Sequence, residues 1–197
     1  MPMSEQWRCF MALDLPEPIQ AQLLAIQAEL QQLGLPIRWS KPENLHLTLQ
    51  FLGNLAVELL PDLQTKLNHA LTQQTAPTLN CNTWGYFPNA SQPQVVWAGF
   101  EQWPNDLLQL QQAVVGCSSH IGIIAETRPW HPHITLGYSK ERLTKHQIEQ
   151  LSSQLQASQW PATPAIYPTC QLIRSISQPQ ASSYQTLVTW QLNQAST

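Results

Sequence analysis

Two matching tetrapeptides hold the residues best suited to chemistry: His46-Leu47-Thr48-Leu49 and His133-Ile134-Thr135-Leu136. Each lies in a run that reads as a β-strand. Strand side chains alternate, which puts His46, Thr48 and Gln50 on one face and Leu45, Leu47, Leu49 and Phe51 on the other. His133 and Thr135 share a face in the same way, opposite Ile134 and Leu136. Residues i and i+2 of a strand lie about 6.5–7 Å apart, so each strand offers an imidazole and a hydroxyl pointing the same way. With 6 His and 14 Thr in 197 residues, only about 0.4 His-x-Thr triplets are expected by chance, and a short motif alone is weak. Two copies that share the apolar middle residue and the following Leu are a much stronger signal.

Two imidazoles without adjacent carboxylates suit paired acid–base chemistry. Unperturbed His titrates near 6.5, so one ring can accept a proton while the other donates one. Thr hydroxyls are short, stiff and uncharged, and they donate to oxyanions. Such a set fits an anionic phosphodiester: one His activates water, the other protonates the departing oxygen, and the hydroxyls hold phosphoryl oxygens. The residue types do not say which His plays which part. No metal or other cofactor is needed. The rival enzyme reading is a metal hydrolase in which His46, His131 and His133 bind zinc with one position open. Against it, the chain has no H-E-x-x-H, and no Asp or Glu adjoins these histidines. A binding module that holds a phosphorylated RNA end without turnover is the alternative outside catalysis.

The other candidates weigh less. His69 and His120 fall late in expected helices, where a protonated ring suits the helix C-terminus, and His146 lies on a helix beside Lys145. Of the eight Trp, Trp39 and Trp130 precede the motifs closely and read as core or cleft wall. Arg8, Arg38, Lys41, Arg128, Lys140 and Arg142 flank the motifs or the first strand, within reach of a phosphate. Gly-rich phosphate loops and nucleophile elbows are absent.

The elements that must position these residues are legible from periodicity. Arg8 to Leu15 reads as a buried strand closed by Pro16, and Glu17 to Leu33 as an amphipathic helix stopped by Gly34 and Pro36. Ile37 to Ser40 is extended, residues 41–44 turn, and Leu45 to Leu52 is the first motif strand, ended by Gly53-Asn54. A helix follows from about Ala56 to Leu71, with Leu59, Leu63, Leu67, Ala70 and Leu71 inward and Pro61 in its first turns. Thr78 to Phe87 and Gln94 to Phe100 read as strands, Asn105 to His120 as a helix, and Ile121 to Ala125 as a brief strand. After the second motif strand, Thr144 caps a helix to about Leu155, and strands near Ile166 to Ser177 and Tyr184 to Leu192 close the chain. The mixture predicts an α+β fold, roughly duplicated, with one motif strand per half.

Composition narrows the class. At 197 residues the chain can bury a real core, and it is read as one domain spanning 1–197. Charged residues make up 11%, against about 25% in typical domains; Gln at 20, 22, 31, 32, 111 and 112 takes over much of the solvent-facing duty. The net charge of −3 gives no global field toward a polyanion, so a nucleic acid would be gripped at an end. No apolar run approaches the roughly 18 residues of a membrane span, and Met1 to Cys9 does not read as a secretory signal. Cys9, Cys81, Cys117 and Cys170 are scattered, which fits reduced thiols in a cytoplasmic protein. A monomer is the expected state.

The paired motifs resemble the signatures of the 2H phosphoesterase superfamily. Arg8 to Pro16, Trp39 to Gly53 and Arg128 to Leu136 are similar to the corresponding blocks of its RNA 2′,3′-cyclic phosphodiesterase (2′-5′ RNA ligase) family, and the closing strands with Ser175 and Tyr184 resemble its ending. The resemblance implies two pseudo-symmetric lobes whose antiparallel sheets line a central cleft, with helices on the outer faces. It further implies metal-independent hydrolysis of a 2′,3′-cyclic phosphate at an RNA 3′ end or on a cyclic nucleotide, leaving a 2′-phosphate, with 2′-5′ joining as the reverse reaction. By the same carry-over His46 is the proton donor, His133 the proton acceptor, and Thr48 and Thr135 bind the phosphate. One departure stands out: many relatives carry Arg shortly after the second motif, where this chain has Gly137-Tyr138.

Overall fold

Alternation along the first strand already separates two environments. In β1 (Gln6–Asp14) the side chains of Cys9, Met11 and Leu13 are buried in the main core, while Phe10 and Ala12 join a second, smaller cluster with Ile173 across the sheet. The computed structural model describes residues 5–124, 128–177 and 183–194. In chain order β1 is followed by α1 (Glu17–Gln31), β2 (Ile37–Trp39), β3 (His46–Ala56) and α2 (Leu60–Leu71). Then come β4 (Thr78–Leu79), β5 (Thr83–Phe87), β6 (Val95–Gly99), α3 (Asn105–Ser119), β7 (His133–Ser139) and α4 (Lys145–Ala157). The last elements are β8 (Ala165–Ile166), β9 (Thr169–Ile176) and β10 (Ser183–Gln191).

Eight strands form one antiparallel sheet in the order β10-β9-β1-β3-β7-β6-β5, with β2 paired to β7. Its two halves, β10-β9-β1-β3 and β7-β6-β5 with β2, meet at a single pair, Leu47 opposite Ile134. Those are the middle residues of the two motifs. Leu47, Leu49, Ile134 and Leu136 are each fully buried beneath the helices. Burial of one such side chain stabilises by about 1.5–3 kcal/mol, so this face pins the phase of both motif strands and turns His and Thr to the other side.

The connections interleave the halves. Helix α3 packs on β3 and α2, and its Ser118 donates to Gln50 of β3 (2.8 Å). Helix α1 packs on α4, and its buried Gln27 donates to the carbonyls of Leu136 (2.7 Å) and Ser40 (3.2 Å) where β2 and β7 come together. Thr144 caps α4 as expected, in a capping box with Gln147. The four cysteines are free and buried. No helix among the described residues is long and apolar enough to cross a membrane.

Several expectations need correction. Gly53-Asn54 does not end the first motif strand; β3 runs on to Ala56, with Gly53 at φ +68° inside a bulge. The expected strand from Thr78 to Phe87 is two, because residues 80–82 turn away (Asn82 N to Asn80 O, 3.0 Å), and β4 pairs instead with β8 in a separate ribbon. Ile121 to Ile124 is no strand: Ile123 N–H returns to Ser118 O (3.1 Å) around Gly122 at φ +84°, which closes the helix end. Ala125 lies outside the described residues. Leu59, expected inward, is exposed, because it belongs to a separate helical turn (Val57–Leu59) ahead of α2.

Candidate active site

Each motif histidine is held by the same local device. A turn at Pro42–Asn44 precedes β3, and His46 Nδ1 lies 2.8 Å from the Asn44 carbonyl. His133 Nδ1 lies 2.7 Å from the His131 carbonyl. A carbonyl oxygen only accepts, so in both rings Nδ1 carries the hydrogen and Nε2 is left for chemistry. Both rings line one cleft of about 910 Å³. Thr48 and Thr135 line it as well. With Leu47 opposite Ile134 in an antiparallel pair, His46 falls beside Thr135 and Thr48 beside His133. The four motif side chains expected from the sequence are therefore brought together.

The strands are also laced to each other. Trp130, ahead of the second motif, donates its indole N–H to the carbonyl of Thr48 (3.1 Å). Ser40, ahead of the first, donates its hydroxyl to the carbonyl of Thr135 (2.8 Å). Sequence reasoning places Trp130 as core or wall and does not single out Ser40.

Aromatic rings back both imidazoles. His46 packs on Phe10 (ring centroids 4.8 Å) and Tyr184 (5.4 Å). His133 packs on Phe87 (4.8 Å) and more distantly on Trp97 (6.4 Å). Trp97 in turn lies across Gly85, where a Cβ would collide with its ring, so only glycine fits there. This setting disfavours the charged forms. Burial lowers His46 to about 4, against the pull of the Asn44 carbonyl and helped by the like charge of His133. Burial lowers His133 too, again against its backbone hydrogen bond and helped by His131. Both rings are thus neutral at pH 7 and ready to accept a proton at Nε2.

Arg8, Arg38, Lys41 and Arg128 line the cleft, whereas Lys140 and Arg142 do not. That is four of the nine Lys and Arg of a chain with net charge −3, and no Asp or Glu is among the described lining residues. Such a cleft selects for anions. Tyr138, two residues after the second motif, lines the cleft with the Arg38 guanidinium 5.3 Å above its ring. The metal triad does not assemble. His131 is absent from the cleft lining, its ring packs against Trp97 (4.9 Å), Trp103 (5.3 Å) and Phe87 (5.7 Å), and no group of three His, Cys, Asp or Glu among the described residues is placed to hold a metal.

One residue of the functional face is invisible to simple alternation. Register shifts leave Leu49 and Leu52 of β3 unmatched on β1, so Thr48 faces Ala12, Phe51 faces Phe10 and Asn54 faces Arg8. Each bulge slips the alternation by one residue. Gln50 is thereby turned into the core, onto Ser118, and Phe51 onto the cleft, 49% exposed. Alternation alone assigns these two the other way round; Gly53 is the available hint of irregularity.

An eight-stranded antiparallel sheet backed on one face by helices, with one His-x-Thr strand in each half, defines the fold as that of the LigT phosphoesterases. The E. coli LigT crystal structure in apo form superposes with a TM-score of 0.76 at 28% identity, covering 97% of this chain and 100% of that one. TT0787 of Thermus thermophilus superposes with a TM-score of 0.77 at 25% identity, covering 96% and 100%. E. coli LigT has also been crystallised with 3′-AMP. A LigT-like phosphoesterase family model matches residues 13–97. The RNA 2′,3′-cyclic phosphodiesterase of E. coli K12 is 35% identical over 136 residues, 68% of this chain and 73% of that protein. The chain belongs to the LigT-like phosphoesterase family.

Proposed function

We propose that this protein is an RNA 2′,3′-cyclic phosphodiesterase, opening the cyclic phosphate at an RNA 3′ end to a 2′-phosphomonoester. The observation that carries this reading is the pair of imidazoles whose Nδ1 atoms are tied to carbonyls 2.8 and 2.7 Å away, leaving both Nε2 atoms for one cleft with no Asp or Glu among its described lining residues. His133 Nε2 takes a proton from water as the water oxygen bonds to phosphorus. His46 Nε2–H gives a proton to O3′ as the P–O3′ bond breaks. Thr48 and Thr135 donate to the two non-bridging oxygens. Burial disfavours the charged form of His46, so the substrate's own negative charge must restore its proton. An opposite charge within a few ångström does this. Run backwards, the same two transfers close a 2′-phosphate onto O3′ and release water; with the 5′-OH of a second RNA in place of water, the forward transfers form P–O5′ as P–O3′ breaks and leave a 2′-5′ bond beside a free 3′-OH.

The name of the E. coli relative and the 3′-AMP complex of E. coli LigT support a nucleotide-end substrate. The interleaved connections support one domain of two lobes with a motif in each, complete within a monomer, and the buried free thiols suit the cytoplasm. The test is an oligoribonucleotide with a 2′,3′-cyclic phosphate end, incubated in excess EDTA. A 2′-phosphate product is expected. Activity that EDTA abolishes would return the site to a metal reading, and tight end-binding without turnover would leave a binding module.

A further inference from the structure

The cleft extends well past the four motif side chains, and its far part is ordered by strand register. Asn54 of β3 lies opposite Arg8 of β1, Arg8 opposite Ser175 of β9, and Ser175 opposite Tyr184 of β10. Register partners share a face, so these four side chains form one row across four strands. All four line the cleft. Register and cavity agree independently on this point.

Between that row and the histidines stand aromatic rings. Phe51 lies opposite Phe10, the two rings 6.1 Å apart, and Phe10 in turn touches His46 and Tyr184. Phe51, 49% exposed, presents much of its ring to the cleft. The bulge at Leu49 brings Phe51 onto this side, and the second at Leu52 restores the original alternation, so that Asn54 shares the face of His46 and Thr48. Arg8 sits two residues along β1 from Phe10, a step of about 6.5–7 Å.

The row is built for an anion. Among the described residues Arg8 has no carboxylate partner. On the opposite face of the same sheet edge, by contrast, Arg174 is engaged by the Trp7 ring (4.0 Å) and Glu5 (4.0 Å). Burial and the neighbouring Tyr138 hold the Tyr184 phenol above its ordinary range against the pull of Arg8 and Arg38, so it remains a hydrogen-bond donor at neutral pH. A guanidinium flanked by an amide, a hydroxyl and a phenol matches a phosphodiester, which Arg can engage with two parallel bonds. Anion centre, exposed aromatic, then a second anion centre is the order in which phosphate, base and phosphate occur along a single strand, and proteins grip single strands by combining stacking with backbone charge.

We propose that Arg8, Asn54, Ser175 and Tyr184 form a second phosphate subsite for the phosphodiester one nucleotide upstream of the reacting end, with the terminal base stacked on Phe51. The preferred substrate is thus an oligoribonucleotide and not a nucleoside 2′,3′-cyclic phosphate. This rests on the cyclic phosphodiesterase reading and specifies which substrates it favours.

The experiment compares kcat/KM for a nucleoside 2′,3′-cyclic phosphate with that for a dinucleotide ending in the same group. A third substrate is the dinucleotide with a neutral methylphosphonate linkage. The natural dinucleotide is expected to be favoured by about tenfold or more, one charged hydrogen bond's worth. The neutral linkage should lose most of that preference. Arg8→Gln should cut the natural dinucleotide mainly through KM and the methylphosphonate far less, and Arg8→Lys should restore part of the loss. Phe51→Leu should weaken binding of all three substrates alike, since each carries the terminal base.

Equal kcat/KM for mononucleotide and dinucleotide, or no effect of the neutral linkage, overturns the subsite while leaving the proposed function intact. An Arg8→Gln loss of the same size on all three substrates overturns it too, by placing Arg8 at the reaction centre or in the fold. If no substrate turns over, the proposed function fails instead. Calorimetric affinity for 2′-phosphate-ended mono- and dinucleotides then decides the subsite, tighter dinucleotide binding supporting it and equal binding refuting it.

Discussion

The two motif strands solve one problem with different means. Both tie Nδ1 of their histidine to the carbonyl two residues upstream, and both turn an apolar Leu-x-Leu or Ile-x-Leu face into the core. Their settings then part. Strand β3 is hydrogen-bonded along its length to β1 and twice bulged, and its His46 is wedged between Phe10 and Tyr184. Strand β7 is shorter, lies between β6 and β3, and leans its His133 on Phe87. The tie itself comes from a helical turn at Pro42–Asn44 in one case and from the His131-Pro132 approach in the other. Pseudo-symmetry is thus preserved in the two tied imidazoles and abandoned around them. On the proposed acid–base reading, two like imidazoles take opposite parts across one phosphorus, and differing environments can tune them apart.

The largest effect should come from removing either ring. His46→Ala and His133→Ala are each expected to lower the single-turnover rate by about 10²–10⁴-fold, the usual scale of positioned acid–base groups. The double variant should be little worse than the poorer single, since two halves of one proton relay fail together. A variant that kept near-full activity would break the symmetry of roles.

Next come the hydroxyls. Thr48→Ala and Thr135→Ala should each cost roughly 10- to 100-fold in kcat, below the full loss of a dedicated oxyanion donor. Equal losses would mean that the two halves share the phosphoryl oxygens evenly; a large inequality, read in parallel assays, would show that one half carries the charge.

The titration of His46 sharpens the contrast further. Its folded pKa, about 4, lies below the unfolded value near 6.5. The unfolded chain therefore binds more protons between these limits, and stability falls as pH drops from about 6.5 toward 4. The loss attributable to this ring is at most about 3 kcal/mol. Denaturant unfolding at pH 7 and at pH 5 should show the decline, and His46→Gln should flatten it. Activity reports His133 instead: burial lowers its pKa as well, and a base with a depressed pKa keeps its neutral form to lower pH, so the acid limb of kcat/KM should lie below 6.5.

The smallest effects belong to the lacing. Ser40→Ala and Trp130→Phe each remove one hydrogen bond to the carbonyl of a motif Thr, expected to cost about 1 kcal/mol. Thermal denaturation gives the stability change. If the ties also set side-chain aim, Trp130→Phe will lower kcat through Thr48, and Ser40→Ala through Thr135.

Much of this site is legible in the linear chain because strand periodicity is local. His46 and Thr48 share a face by covalent geometry alone, as do His133 and Thr135, and the intervening Leu47 and Ile134 announce which face is buried. Helix-forming periodicity, the Thr144 cap and the pairing of apolar runs are local in the same sense. Three things depend on contacts far apart in sequence. Whether the two motifs meet is decided by a single pair, Leu47 opposite Ile134. Which side chains join them is decided by bulges, whose extra residues exist only relative to a partner strand; that is why alternation puts Phe51 and Gln50 on the wrong faces. How strongly the imidazoles are discharged is decided by Phe10, Tyr184, Phe87 and Trp97, drawn from four separate strands. The sequence alone determines the residues and their spacing, because these are properties of one strand. The tertiary structure decides register and desolvation, because both are properties of neighbours.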